Sequence, residues 1–141
     1  MSELLDRHRV FVEWAEGRRN FPYEDSVGKL TIGVGRNLDD RGLSNPEVDF
    51  LLSNDQKIAF KGAKKLAFFE SLDATRQMII VDMVFNMGLP RFKGFVKTIE
   101  ALETQDYKTA AAEMQNSKWF RQTGRRAKRL VKMMYTGTET E

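Results

Sequence analysis

Helical spacing of apolar residues runs through most of this chain, and a single stretch, residues 21–38, breaks it. Within that stretch the sequence LTIGVG (30–35) alternates apolar and small residues. A period of two is typical of a strand, because successive side chains point to opposite faces. The glycines and Pro22 around it disfavour a helix. We therefore predict a small antiparallel sheet over residues 21–38.

The segments on either side of this stretch show helical patterns with recognisable ends. The first predicted helix ends at Gly17, and Ser44-Asn45-Pro46-Glu47 is a capping box that opens the next one. Ser71 or Asp73 can cap a central helix with apolar residues on more than one face, which indicates burial. Gly88 and Pro90 are expected to end it. Further helices are predicted over Phe92–Leu102, over Tyr107–Met114 and through the basic region 118–132.

These elements predict a mostly helical α+β fold in a single domain, residues 1–141. The helical lobe, about 1–17 and 44–135, would form a bundle around the central helix. The small sheet lobe would span about 18–40, and an active-site cleft would lie between the two. A length of 141 residues is enough for one hydrophobic core without metal or disulfide staples.

Composition excludes several kinds of chemistry. The chain has no cysteine, so disulfides, thiol catalysis and thiolate metal sites are excluded, and His8 is the only histidine. No apolar run approaches the roughly 20 residues of a membrane span, and the start lacks the apolar core of a signal peptide. We expect a protein made in the cytosol, with no metal or cofactor and no membrane insertion.

Positive charge is concentrated near the end of the chain. Residues 118–132 contain seven lysines and arginines and no acidic residue. Such a cluster suits a polyanion, whether nucleic acid, wall polymer or membrane surface, and is equally consistent with a solvated helix face. Charge alone does not choose between these partners.

Two carboxylates flank the break in the helical pattern. Glu16 ends the first helix, Asp25 lies nine residues on in a turn, and Thr31 follows on the small-residue face of the strand. Glycoside hydrolysis needs one protonated and one ionised carboxyl group, and a hydroxyl could help to hold water. Spacing alone does not separate this function from helix capping or surface charge.

Three ordered blocks resemble one family. The run EGRRNFPYEDSVGKLTIGVG (Glu16–Gly35) is similar to the active-site stretch of the phage-type lysozymes, glycoside hydrolase family 24. The run SLDATRQMIIVDMVFNMG (Ser71–Gly88) resembles the central helix of that family. The run SKWFRQTGRRAKR (Ser117–Arg129) resembles its closing region. The similarity covers nearly the whole chain and is strongest to the lysozymes of T-even phages.

The resemblance implies that Glu16 is the general acid, Asp25 the carboxylate that activates water, and Thr31 its helper. The implied substrate is the β-1,4 bond between N-acetylmuramic acid and N-acetylglucosamine in peptidoglycan, hydrolysed with inversion. Implied saccharide contacts are Asn37, Phe85, Thr98 and Glu113, and Arg126 matches an arginine beside the catalytic glutamate. A cation there favours ionised Glu16, so we expect bound sugar to exclude water and restore the protonated acid.

The sequence departs from the family at three points. Arg36 stands where a histidine is common, so a histidine–aspartate pair of other members is expected to be absent. The segment after Leu38 is short, which predicts a trimmed sheet lobe. Glu113 replaces a neutral amide, which puts that saccharide contact in question.

The resemblance predicts a phage endolysin for host lysis that collects in the host cytoplasm. It would reach the periplasmic wall after a holin, an indirect partner, permeabilises the membrane. A virion-carried lysozyme acting at entry is an alternative. There are two further alternatives. One is a non-catalytic module that binds cell wall or another polyanion, and the other is lytic transglycosylase chemistry. We expect a monomer and no nucleic-acid partner.

Overall fold

The computed structural model describes residues 2–139, so Met1, Thr140 and Glu141 lie outside the described part. The chain divides into two compact units, of which the first runs to Phe50 and the second begins at Leu51. The boundary falls inside one helix, α2 (Asn45–Ala63). In residues 2–139, no helix is both long and apolar enough to cross a membrane.

The first unit begins with helix α1 (Glu3–Glu16). The Ser2 side chain accepts a hydrogen bond from the backbone N–H of Leu5 and so caps the helix start. Gly17 ends α1 with φ of +77°, a conformation that glycine adopts without steric cost, which confirms the predicted end.

A three-stranded antiparallel sheet follows, with strands β1 (Arg19–Glu24), β2 (Leu30–Gly33) and β3 (Arg36–Asn37) in that order. Thr31 at the centre pairs with Tyr23 on β1 and with Asn37 on β3. The register of β1 is irregular between Arg19 and Tyr23, around Pro22, which has no N–H to donate. The predicted sheet is confirmed, although it begins two residues earlier than expected.

The capping box predicted at residues 44–47 is present at the start of α2. The Ser44 hydroxyl accepts from the Glu47 N–H at 3.4 Å, and Glu47 Oε1 accepts from the Ser44 N–H at 2.8 Å. Each side chain thus satisfies a backbone donor that the helix leaves unpaired.

The second unit is helical and contains the hydrophobic core. Its helices after α2 are α3 (Ala74–Met87), α4 (Leu89–Phe92), α5 (Val96–Glu103), α6 (Tyr107–Gln115), α7 (Lys118–Thr123) and α8 (Arg125–Thr136), with a 3₁₀ turn at Phe69–Ser71. Four residues of α3 are buried: Ile79, Ile80, Met83 and Val84. Asp73, and not Ser71, caps this helix by accepting from the Arg76 N–H. The predicted mostly helical α+β fold is confirmed.

Two predicted helices differ from the observed ones. The helix predicted over Phe92–Leu102 is interrupted after α4, because the chain turns at Lys93 and Gly94 before α5 begins. Pro90 lies in the first turn of α4, where its missing N–H costs no hydrogen bond. The closing basic region is likewise two helices, separated at Gly124, which has φ of +68°.

Candidate functional site

Glu16 lies at the last position of α1 against the backbone of Gly35. Gly35 has φ of +71°, and a Cβ placed on it would lie 3.0 Å from both Cγ and Cδ of Glu16. Only a residue without a side chain allows this approach. No residue within 2–139 forms a hydrogen bond or ion pair with the Glu16 carboxylate, which is therefore open to a ligand.

Asp25 is held in the turn that joins β1 to β2. Its Oδ1 accepts hydrogen bonds from the backbone N–H groups of Val27 at 2.9 Å and Lys29 at 2.8 Å. These two hydrogen bonds hold the Asp25 carboxylate in place through one of its oxygens. The second oxygen, Oδ2, accepts no hydrogen bond from the described residues.

Thr31 is 4% exposed and is the only buried residue in the described part of the first unit. Its hydroxyl donates to the Lys29 carbonyl oxygen at 2.9 Å, and the same oxygen accepts the Asp25 N–H at 2.9 Å. Because its hydrogen is engaged, the Thr31 oxygen is left as an acceptor. The structure thus brings Asp25 and Thr31 together on one peptide group, while no direct hydrogen bond joins either of them to Glu16.

Asn37 is adjacent to Thr31 through the β2–β3 pairing. Its side-chain amide donates to Asp40 Oδ2 at 2.9 Å, and its Oδ1 accepts from the Asp40 N–H at 2.9 Å. Both polar atoms therefore stabilise the loop after β3. The role of Asn37 as a saccharide contact stays a prediction.

Arg36 has an acidic partner of its own. Its guanidinium donates to Glu47 Oε1 at 2.8 Å and to the Gly42 carbonyl at 3.1 Å. The Arg36 hydrogen bond, with further hydrogen bonds from Ser44, lowers the pKa of Glu47 to about 2. Arg36, which stands where a histidine is common in the family, therefore forms an ion pair with Glu47. The sequence pattern did not indicate this ion pair, because the capping box already accounted for Glu47.

The remaining predicted site residues lie in the second unit and in three different cavities. Thr98 and Glu113 line the same cavity, of about 770 Å³. Phe85 is 39% exposed and lines another, of about 570 Å³. Arg126 lines a third, of about 800 Å³, between α3 and α8. Of the predicted site residues in the described part of this unit, Thr98 and Glu113 share one cavity, whereas Phe85 and Arg126 each line another.

Arg126 forms a two-point ion pair with Asp82 of α3. Nε donates to Oδ2 at 2.8 Å and Nη2 donates to Oδ1 at 2.6 Å. The hydrogen bonds that Arg126 donates to this carboxylate raise the pKa of Arg126 above its ordinary value. Nothing in the local sequence pairs residues that lie 44 positions apart, so Asp82 was missed. The predicted place of Arg126 beside Glu16 stays a prediction.

Comparison with known proteins identifies the family of the chain. The sequence model described as phage lysozyme matches residues 13–134, which include every catalytic and saccharide-contact residue predicted above. Two similar proteins come from Dictyostelium discoideum. "Probable T4-type lysozyme 2" is 26% identical, and the alignment covers 100% of this chain and 98% of the relative. "Probable T4-type lysozyme 1" is 27% identical, with 96% and 97% covered. The match of the family model over most of the sequence shows that the chain belongs to the phage lysozyme family and is a glycoside hydrolase.

Proposed function

We propose that this glycoside hydrolase is a muramidase that cleaves the β-1,4 bond between N-acetylmuramic acid and N-acetylglucosamine in peptidoglycan. The observation that carries the proposal is the joint anchoring of Asp25 and Thr31 on the Lys29 carbonyl. Each keeps an oxygen free to accept a hydrogen bond. The unit that holds them also holds Glu16, whose carboxylate has no partner among residues 2–139.

In the proposed mechanism, Glu16 donates its proton to the glycosidic oxygen as the bond from that oxygen to the anomeric carbon breaks. A water molecule donates one hydrogen to Asp25 Oδ2 and the other to the Thr31 oxygen. Asp25 takes the proton as the water oxygen bonds to the anomeric carbon from the opposite face. The product would have inverted configuration.

The first experiment measures the release of reducing ends from purified Gram-negative peptidoglycan. Glu16→Gln removes the transferable proton, and Asp25→Asn removes the charge. Asparagine keeps an oxygen that can accept the two turn N–H groups, so the second variant tests chemistry with little change in the turn. We expect each to lower kcat by at least about 10²-fold, the order of contribution of general acid–base catalysis.

Matched controls separate this effect from a general loss of charge. Asp39 Oδ2 accepts the Leu30 N–H at 2.7 Å, so Asp39→Asn repeats the change at another carboxylate that anchors the sheet. Glu3→Gln likewise removes the charge of a carboxylate on α1. Both should keep activity within about twofold. If the wild type released no reducing ends while it and all variants still bound the wall, the result would favour a non-catalytic module that binds cell wall.

The stereochemistry of the product tests inversion. ¹H NMR of the newly released reducing end should show the α-anomer before mutarotation. An initial β-anomer would mean retention, and a 1,6-anhydro product would mean lytic transglycosylase chemistry, which needs no water held by Asp25.

Arg126 is included in the proposal as a modulator of the acid. If it lies beside Glu16 it favours the ionised form, and bound sugar must restore the proton. Arg126→Ala should then shift the limb of the pH–rate profile that belongs to Glu16. An unmoved limb in a folded variant would remove Arg126 from the mechanism.

We further propose that the enzyme acts as a phage endolysin, accumulating in the host cytoplasm until a holin opens the membrane. The family description supports this role, whereas the two relatives come from a eukaryote. Expression in a Gram-negative host should cause lysis only after the inner membrane is permeabilised, and not with Glu16→Gln. Protection of the protein inside purified virions would favour a role at entry.

A further inference from the structure

One peptide group at the start of β2, between Lys29 and Leu30, anchors both residues proposed to hold the water molecule. Its carbonyl oxygen accepts the Asp25 N–H and the Thr31 hydroxyl, each at 2.9 Å. The direction of this carbonyl therefore decides where the Asp25 turn begins and how the Thr31 side chain is rotated. Because a peptide group is planar, its carbonyl and its N–H turn together. The group that binds the Leu30 N–H consequently orients the carbonyl as well.

The Leu30 N–H forms no backbone hydrogen bond within residues 2–139. Thr31 pairs with Asn37 in the sheet, so the residue before Thr31 lies opposite Leu38. The Leu38 N–H donates to the Leu30 carbonyl at 2.7 Å, and in a regular antiparallel ladder the Leu38 carbonyl would accept the Leu30 N–H in return. Here that carbonyl accepts the Gly42 N–H at 3.0 Å instead, because the chain turns after β3.

The side chain of Asp39 takes the place of the missing strand acceptor. Its Oδ2 accepts the Leu30 N–H at 2.7 Å. A hydrogen bond to an ionised acceptor is roughly twice as strong as one between neutral groups. It also polarises the peptide group, which makes the Lys29 carbonyl a better acceptor for the two donors on its other side. Asp39 is exposed and its carboxylate forms no other hydrogen bond or ion pair with the described residues, so this bond is its main contact.

We propose that Asp39 is a positioning residue for the hydrolytic water. Its carboxylate holds the peptide group that in turn holds Asp25 and Thr31. Without this acceptor the peptide group can rotate at the end of the strand, and the Thr31 hydroxyl loses its fixed direction. The water is then held less firmly against the anomeric carbon. The inference rests on the proposed muramidase function, in which that water attacks the sugar.

Two substitutions at Asp39 separate the role of the acceptor from that of the charge. Asp39→Ala removes the acceptor, whereas Asp39→Asn keeps an oxygen that can accept the Leu30 N–H. We expect Asp39→Ala to lower kcat for the release of reducing ends about tenfold with KM unchanged, because the placement of water is altered and substrate binding is not. Asp39→Asn should stay within about twofold of the wild type. Activity of Asp39→Ala within twofold of the wild type would overturn the proposal.

Asp106→Ala is the matched control for a loss of stability. The Asp106 side chain likewise accepts one backbone N–H, that of Thr109 at 3.1 Å, at the start of α6 in the second unit. Both alanine variants should lower Tm by a similar amount. Only Asp39→Ala should lower kcat when both are assayed well below their transitions. An equal loss of kcat in the two variants would mean that Asp39 acts through stability alone, and the positioning role would be wrong.

Amide hydrogen exchange, followed by NMR, tests the anchor without turnover. The Asp25 N–H is protected by its bond to the Lys29 carbonyl. Asp39→Ala should accelerate its exchange about tenfold, as expected for the loss of one hydrogen bond to a charged group, and Asp39→Asn and Asp106→Ala should not. Unchanged exchange in Asp39→Ala would overturn the proposal even if the muramidase function stands. Accelerated exchange in a protein whose wild type releases no reducing ends would support the anchor and refute the muramidase function.

Discussion

Replacing Gly35 by alanine should lower kcat, because the added methyl group would crowd the Glu16 side chain. The added Cβ would lie 3.0 Å from Cγ and Cδ of Glu16, whereas non-bonded carbon atoms are most stable at about 3.5–4.0 Å. Relief of the contact requires the Glu16 side chain to move by at least about half an ångström. Misplacement of a catalytic group by about 1 Å can cost about 10²-fold in rate. We therefore expect kcat to fall by roughly 10- to 100-fold.

The stability cost of the same change can be measured separately. Alanine at φ of +71° costs about 1–2 kcal/mol relative to its favoured conformations. For a chain of this length that corresponds to a drop in Tm of about 3–6 °C. Gly33→Ala is the matched control, because Gly33 has the same φ and a Cβ there would meet no atom within 4 Å.

The assay compares Tm and reducing-end release for the two variants and the wild type at one temperature well below either transition. Both variants should lose similar stability, but only Gly35→Ala should lose activity. If Gly35→Ala retained activity within twofold of Gly33→Ala, the contact with Glu16 would have no catalytic importance and the reasoning would fail.

Three further predictions concern stability. The folded-state pKa of Glu47 is about 2, below its ordinary value of 4.5, so its charge stabilises the fold above pH 4.5 and that contribution is lost as pH falls towards 2. Glu47→Gln keeps an acceptor for the capping box. In urea titrations its free energy of unfolding should therefore depend less on pH between 4.5 and 2 than that of the wild type. An unchanged pH dependence would contradict the Arg36 ion pair. Arg76 donates from Nε to the Met134 carbonyl at 2.8 Å, and Arg76→Met should cost about 2 kcal/mol in denaturant unfolding. A loss under 0.5 kcal/mol would show that the arginine is dispensable. Phe92 is fully buried, and Phe92→Ala should cost about 3–5 kcal/mol by the same measurement, whereas a smaller loss would mean that the core closes around the gap.

The parts of the site that could be predicted from the sequence are those built by short-range interactions. Asp25 and Thr31 meet on the Lys29 carbonyl, within seven consecutive residues, and the alternating pattern around Thr31 already indicated the strand. The roles proposed for these residues came from the resemblance, because acidic residues near turns are common. The break between α4 and α5 was missed because an apolar spacing that suits one helix also suits two.

The partners of charged groups could not be predicted in the same way. Arg126 pairs with Asp82 across 44 positions, and Arg76 reaches a carbonyl 58 positions away. Sequence spacing carries no information about such pairs, because they form only when separate helices pack. The same holds for cavities, since the walls around Thr98 and Glu113 come from several elements of the second unit.

The sequence by itself thus determined the sheet and most of the helices, because caps, turn residues and apolar periodicity act over a few positions, and its resemblance to one family indicated the family. Only the tertiary structure decided that the Thr98 hydroxyl is buried without a partner, that Glu113 faces the same cavity unpaired, and that Gly35 approaches Glu16 too closely to carry a side chain. The physical reason is that burial and contact between distant residues depend on how elements pack, and packing is a property of the whole folded unit.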